Sequence, residues 1–230
     1  MDKNTVNNQP LQIISTTVQQ TEGDCATKKC LEISLTYPTV KNASPALEKN
    51  INNWTHDFLI ALLDPVLELD EETSLTTAID GFKEFYHEQL ADSTGRPGHF
   101  TVEVTDTVLL QNEKYLTLRM DAFSFTGGAH PNSTAAIATF NLETGKKLAP
   151  IDLVNDLEKL YAAAEKQFRV VKKSAFDHGF DFDESWPFVL PKNVGLTTEG
   201  LFFCYVPYEV APYVMGFTEF VIPYEQLEKL

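Results

Sequence analysis

The sequence predicts an α+β fold, with antiparallel sheet or sheets carrying helices on one face and two intimately associated modules. The first observation is the order of hydrophobic patterns: one strand, two helices, several strands, one helix and more strands. This order lacks the alternating β-α-β units that build parallel sheets, so antiparallel pairing is expected. The second is size and composition, since 230 residues with 43% hydrophobic side chains suffice for a sizeable core.

Residues 1–29 are interpreted as a polar N-terminal tail, and residues 30–126 as the first module. Its first strand alternates apolar and polar side chains over residues 31–37 and stops at Pro38. Ser44 is a suitable N-cap for an amphipathic helix that has Pro45 in its first turn and runs to Leu63. A second helix is predicted over residues 75–90. A β-hairpin is predicted after it, with strands over residues 100–110 and 115–125.

Residues 127–230 are interpreted as the second module, whose boundary lies near residues 126–132. The two modules could share one sheet. Helical spacing of apolar residues predicts one long helix over residues 153–176. The other predicted elements are strands over residues 135–142, 147–151, 194–197, 201–206 and 217–222, and a helical turn over 224–230.

The charge of the chain restricts its partners. Eighteen basic residues against 33 acidic ones give a formal net charge of −15. A field of this sign repels nucleic acids and anionic lipid surfaces but leaves basic partners possible. No transmembrane segment is predicted, and the first twenty residues lack the apolar core of a signal peptide.

Two of the three cysteines lie close together in the sequence. Cys25 and Cys30 are separated by four residues, which misses the CxxC redox pattern, and no second pair exists for a zinc site. Either a small disulfide loop or two free thiols fit this spacing, and a disulfide would imply an oxidising compartment. Cys204 lies within an apolar strand and is expected to be a buried small hydrophobe.

The first candidate site is the sequence TGGAHPN at residues 126–132. Gly127 and Gly128 allow positive φ angles, and His130 could act as an acid, a base or a ligand near neutral pH. The alternative is a glycine bulge in which His130 and Asn132 only cap a turn. The glycine pattern matches neither a dinucleotide-binding motif nor a P-loop.

The second candidate site is the sequence PYEVAPY at residues 207–213. Tyr208, Glu209 and Tyr213 stand on irregular backbone and could line a groove for a peptide or a sugar ring. Alternatively, the prolines end the preceding strand and the tyrosines cover the core.

Catalytic, metal and cofactor motifs are missing. The acidic segment 177–184 fails as a calcium loop because Trp186 stands where glycine is required, and a solvated loop is expected. Neither HExxH nor GxSxG occurs. We therefore assign no catalytic residue, metal or cofactor.

Several segments together resemble a known pair of bacterial domains. The segments FTGGAHPN at 125–132, FNLETGKKL at 140–148, PYEVAPY at 207–213 and IPY at 222–224 are similar to a domain of unknown function. Residues 33–125 resemble the partner domain that usually precedes it, which is named for a peptidoglycan deacetylase. This resemblance covers nearly the whole chain from about Cys30.

The resemblance implies a location and a type of partner. Family members are mostly exported or lipid-anchored envelope proteins, which implies a periplasmic or cell-surface location and favours the Cys25–Cys30 disulfide. One relative is an anti-sigma factor whose sensor domain binds lysozyme, and others precede a polysaccharide deacetylase domain. The paired aspartates and metal-binding histidines of that catalytic domain find no match here, so deacetylase activity is not expected.

Three functional hypotheses follow. The leading one is a non-catalytic envelope module that binds a cationic protein such as lysozyme, or a peptidoglycan-related glycan, through the two motifs. The second is an envelope hydrolase acting on peptidoglycan or acyl esters, with His130 as base or ligand. The third is a structural domain whose motifs only hold strands together.

Overall fold

The computed structural model describes residues 10–64, 72–91, 98–180 and 186–227, which form two sheets and six helices. The strands of the first sheet lie in chain order: β1 (Gln12–Asp24), β2 (Lys29–Lys41), β3 (His99–Gln111), β4 (Tyr115–Phe125), β5 (Asn132–Asn141) and β6 (Lys147–Leu148). The second sheet contains β7 (Asn193–Leu196), β8 (Gly200–Tyr205) and β9 (Thr218–Pro223). The helices are α1 (Pro45–Leu63), α2 (Leu75–Ala91), α3 (Pro150–Leu153), α4 (Leu157–Val171), α5 (Lys173–Asp177) and α6 (Tyr224–Leu227). The predicted α+β fold is confirmed.

Helices α1 and α2 cover one face of the first sheet. Alternate residues of β4, including Leu116, Leu118 and Met120, are fully buried in one core with both helices. Helix α1 begins as predicted, because the Ser44 hydroxyl accepts a hydrogen bond from the Leu47 backbone N–H at 3.3 Å. The period-two alternation of the strands therefore directs one face to the helices and leaves the other for the second module.

The second sheet packs between the first sheet and helix α4. On β8, Phe203 and Tyr205 belong to the core that includes Phe168 of α4, whereas the intervening Cys204 belongs to a cluster with Ile137 of β5. Neighbouring strand residues point to opposite faces, so β8 contacts both layers. The order of layers is helices α1 and α2, first sheet, second sheet, helix α4.

The expectation of antiparallel pairing throughout is wrong for one pair of strands. Strands β2 and β3 are parallel, in register from Cys30 opposite His99 to Leu35 opposite Val104. Helices α1 and α2 connect them across one face of the sheet, which returns β3 in the direction of β2. A pair of helices thus serves as the crossover for which a single helix is more usual, while the other strand pairs are antiparallel.

The interpretation of residues 1–29 as a tail is wrong for residues 12–24. These residues form β1, which pairs with β2 at all 13 positions. The segment is polar because it is an edge strand with little burial, but its Thr, Ile and Val residues favour extended backbone. Ile13 and Val18 pack against the first core. Residues 1–9 of the predicted tail lie outside the described residues.

The long helix predicted over residues 153–176 is divided into α3, α4 and α5. Helix α4 begins at its own N-cap, because the Asp156 carboxylate accepts hydrogen bonds from the backbone N–H groups of Glu158 and Lys159. Val154, at φ −140° and ψ 160°, is extended and separates α3 from α4. Residues 181–185 and 228–230, within the predicted acidic loop and terminal turn, lie outside the described residues.

The modules share the first sheet and are joined at strand β5. Strand β5, which follows the predicted boundary, pairs with β4 over ten positions. The buried Asn193 side chain accepts from the Ile137 N–H at 2.9 Å and donates to the Ala135 carbonyl at 3.1 Å. Asn193 therefore acts like a strand neighbour at the edge of β5 and fixes the second sheet on the first.

Gly195 allows the two sheets to approach closely. A Cβ atom at this position would lie 2.7 Å from Ile137 Cγ2 and 2.8 Å from Thr117 Cγ2 of the facing sheet. Nearby, the Thr139 hydroxyl contacts the Thr117 hydroxyl and accepts a hydrogen bond from the Leu196 N–H at 3.1 Å. This close approach requires glycine. Among the described residues, no helix is both long and apolar enough to cross a membrane.

Candidate functional site

The two motifs singled out in the sequence meet in space. His130, in the turn after β4, stacks on Tyr213 with ring centroids 4.0 Å apart and an interplanar angle of 22°. The ring of Tyr208 lies 5.7 Å from that of Tyr213, and its hydroxyl lies 3.5 Å from His130 Nε2. We call His130, Tyr208 and Tyr213 the aromatic cluster.

One carbonyl group holds the His130–Tyr213 stack in place. The Pro131 oxygen accepts a hydrogen bond from the Tyr213 hydroxyl and lies 2.8 Å from His130 Nδ1. Since a carbonyl can only accept, Nδ1 carries the proton. Neutral His130 then has its lone pair on Nε2, which faces the Tyr208 hydroxyl.

Tyr208 has an unusual backbone conformation and an exposed side chain. Its φ angle is +73°, in the left-handed region that bulky residues rarely adopt. A tight turn holds it there, with the Tyr208 N–H bonded to the Ala211 carbonyl at 3.1 Å. The residue remains 54% exposed. Local strain therefore accompanies the presentation of an aromatic ring to solvent, a combination that occurs at binding sites.

Glu209 holds the loop through its carboxylate. One of its oxygens accepts from the Lys192 backbone N–H at 2.8 Å, and the other accepts from the Val206 backbone N–H at 3.1 Å. These bonds tie the loop to the segment before β7 and to the end of β8. A ligand-binding role for Glu209 remains a prediction, whereas its contacts within the protein support the shape of the loop.

The other predicted residues of the turn lie beside the cluster. Gly127 has a φ angle of +76°, which explains why glycine is needed there, and Gly128 is exposed. Asn132 begins β5 and lines a cavity of about 380 Å³ together with Thr126, Thr134 and other residues of α1, α2 and β4. His130 and Tyr208 are not among the described residues of that lining. Asn132 and the aromatic cluster thus belong to different surfaces of the turn.

Cys25 and Cys30 are joined by a disulfide that closes the β1–β2 hairpin. Their sulfur atoms and a Glu32 carboxylate oxygen lie within 4.8 Å of one another, the spacing of a metal site. Disulfide sulfurs are not thiolates, and thiolates are the form of cysteine that binds zinc. The bonded pair therefore does not form a zinc centre.

A polar network between the sheets was not predicted from the sequence. The Arg119 guanidinium contacts Asp121 at 2.7 Å and Glu219 at 2.8 Å, and it lies 5.8 Å from the Phe202 ring centroid. Arg119 and Asp121 are two residues apart on β4, and residues at this spacing lie on the same face of a strand. This spacing was the sequence signal from which their ion pair could have been predicted. Cys204 is buried as expected, and burial raises the pKa of its thiol.

Comparison with known families confirms the predicted pair of domains. Residues 25–133 match the family model "Deacetylase PdaC", and residues 151–225 match "Protein of unknown function (DUF3298)". No curated protein matches the sequence.

Two solved structures of similar fold belong to the second of these families. One DUF3298 family protein is from Pseudomonas aeruginosa, with a TM-score of 0.66, 22% identity, and coverage of 96% of this chain and 94% of the other. The other is from Bacteroides fragilis, with a TM-score of 0.67, 22% identity, and coverage of 96% and 93%. At this identity the likeness establishes a shared fold.

Proposed function

We propose that this chain, which joins a PdaC domain to a DUF3298 domain, is a non-catalytic module of the bacterial envelope that binds peptidoglycan-related glycan. The observation that carries the proposal is the aromatic cluster, in which the exposed Tyr208 ring stands beside the His130–Tyr213 stack. Aromatic faces pack against the C–H groups of sugar rings, and their polar atoms bond sugar hydroxyls.

The rigidity of the cluster supports a binding role. The Tyr213 hydroxyl is bonded to Pro131, His130 is stacked on Tyr213, and Glu209 fixes the loop that carries Tyr208. Side chains that are ordered before binding lose less conformational entropy when a ligand arrives.

The surroundings of His130 favour binding over hydrolysis. Among the described residues, the hydrogen-bond partners of its ring are the Pro131 carbonyl and the Tyr208 hydroxyl, not a carboxylate. A carboxylate partner would stabilise the imidazolium that a general base forms, as in catalytic triads. Neither neighbour carries that negative charge.

The PdaC match and the disulfide support an envelope location. The family name refers to a deacetylase, whereas the role proposed for this chain is binding without catalysis. The Cys25–Cys30 disulfide fits an oxidising compartment, as expected for an exported periplasmic or cell-surface protein.

A cationic protein is a second candidate partner because the net charge is −15. Long-range attraction would speed the approach of a basic protein such as lysozyme, and salt would weaken it. Titration with hen lysozyme at low and high salt tests this candidate. Binding that is absent at low salt contradicts it.

Calorimetric titration with disaccharide muropeptides tests the glycan proposal. We expect wild-type binding and a loss of at least about tenfold in affinity for Tyr208→Gly, since aromatic anchors dominate binding energy. Glycine suits the φ of +73° at this position, so backbone strain cannot explain the loss. Val214→Ala is the matched control, because Val214 lies in the same loop and is 86% exposed.

Three outcomes would overturn the proposal. The first is the absence of heat with every muropeptide at low salt. The second is equal affinity of the wild type and Tyr208→Gly. The third is turnover of muropeptides or acyl esters by the wild type that His130→Ala abolishes, which would establish the hydrolase alternative.

A further inference from the structure

A second cleft lies at the opposite end of β4 from the aromatic cluster. It has a volume of about 620 Å³, within the usual range of small-molecule sites. The β3–β4 hairpin, α3, the β7–β8 turn and α6 all contribute to its walls. Both modules therefore form this cleft, and junctions of this kind are common locations for ligand sites.

The cleft combines an apolar base with two aromatic side chains. Leu110 and Leu196, each 8% exposed, contribute apolar surface from the two sheets. Tyr115 and Tyr224 supply the rings, and the Tyr224 hydroxyl is fixed by a 2.8 Å bond to the Thr197 carbonyl. Such a lining can contact both the flat face and the apolar substituents of a ligand.

Polar groups of the cleft remain available for a ligand. Asn112 Oδ1 accepts hydrogen bonds from the backbone N–H groups of Lys114 and Tyr115, each at 2.8 Å, which fixes the amide. Among the described residues its Nδ2 hydrogens have no acceptor, so they can donate to a ligand. Within the described part of the chain, the hydroxyls of Tyr115 and Thr198 make no hydrogen bond. These groups can both donate and accept, as sugar hydroxyls do.

The charge of the lining favours a neutral ligand. Among the described residues that line the cleft, Asp152 is the one with a charged side chain. Its two carboxylate oxygens accept hydrogen bonds from Lys146 Nζ at 2.7 Å and from the Ala149 N–H at 2.8 Å. The carboxylate is therefore already compensated. Because Lys146 is engaged by Asp152, the described residues that line the cleft offer no unpaired cation to an anionic ligand.

We infer that this cleft is a second ligand site, specific for a neutral saccharide of one or two rings and separate from the aromatic cluster. The free hydroxyl and amide groups bond the sugar hydroxyls, the tyrosine rings pack against the sugar face, and the leucine base accommodates an apolar substituent such as an acetyl methyl group.

Saturation-transfer NMR and calorimetry with N,N′-diacetylchitobiose test the inference. The measurements use Tyr208→Gly as the background, in which we expect affinity at the aromatic cluster to fall by at least about tenfold, so that the remaining signal reports mainly on the cleft. We expect binding in this background, a loss of about three- to tenfold on adding Tyr115→Phe, and no detectable binding on adding Thr198→Arg, which fills the cleft. Thr198 is exposed, so an unchanged melting temperature will show that the arginine variant is folded.

Three results would contradict the second ligand site or its specificity. No binding of diacetylchitobiose in the Tyr208→Gly background, or equal binding with and without Thr198→Arg, overturns the second site but leaves the proposed function intact. Glucuronic acid is the charged control. If it binds more tightly than the neutral probe, the assignment to neutral saccharides is wrong.

Discussion

Asn193→Ala tests whether one side chain holds the two sheets together. The substitution leaves the Ile137 N–H and the Ala135 carbonyl without the bonds of 2.9 and 3.1 Å that they make with the asparagine. Asn193 is 8% exposed, so water replaces these bonds poorly. Each unpaired buried group costs about 1–3 kcal/mol, so for the two groups together we expect a loss of about 2–6 kcal/mol in the free energy of unfolding.

Urea unfolding of the wild type and Asn193→Ala measures this loss. Amide exchange of Ile137 measures it locally, because this N–H loses its acceptor and should exchange faster. Asn132→Ala is the matched control. Asn132 is an exposed asparagine at the start of β5, the strand that carries Ile137, and its substitution should change stability by less than about 0.5 kcal/mol. If Asn193→Ala also costs less than about 0.5 kcal/mol, or Ile137 keeps its protection, the side chain does not join the sheets.

Three further predictions concern packing, thiol reactivity and pH. Gly195→Ala places a Cβ 2.7 Å from the facing sheet and should lower the free energy of unfolding by about 1–3 kcal/mol in urea titrations; unchanged stability would show that the sheets can separate. Cys204 should react with an aromatic disulfide reagent at about pH 8 only after denaturation, because burial raises the pKa of its thiol, and rapid native labelling would contradict this. Lys146→Ala should raise the pKa of Asp152, which the hydrogen bond from Lys146 lowers. The stabilisation linked to this carboxyl is present above its unfolded pKa and disappears as the pH falls through the folded value. The stability of the variant should therefore decrease less than that of the wild type as the pH falls through this range. Carboxyl NMR titration gives the pKa of Asp152, and an unchanged value would refute the role of Lys146.

Local patterns predicted most elements because their signals lie within a few residues. The N-cap at Ser44 and the alternation along β4 are such signals, and both appear in the structure. The parallel pairing of β2 with β3 depends on how two helices cross the sheet, which no local pattern records. Strand β1 was missed for a related reason, since its ladder to β2 stabilises a segment whose composition is that of a polar tail.

The candidate site was predictable in its parts but not in its assembly. Glycines beside His130 and prolines beside Tyr208 indicated irregular backbone and candidate sites in both loops. However, His130 and Tyr208, whose side chains meet, are 78 residues apart in the sequence. The role of Glu209 in holding its loop was equally hidden, because it depends on contacts with backbone N–H groups. In the second cleft, Thr198 gave no signal, since an isolated threonine in a turn is ordinary.

Strand β4 connects the two candidate sites and sets the distance between them. Tyr115 begins the strand beside the cleft, and Phe125 ends it before the turn that carries His130. Ten steps of about 3.3 Å place these ends about 33 Å apart. Hydrogen bonds to β3 and β5 on both sides make the strand rigid, so a short muropeptide cannot occupy both sites at once. Only a glycan chain longer than this distance can gain affinity from binding both sites together.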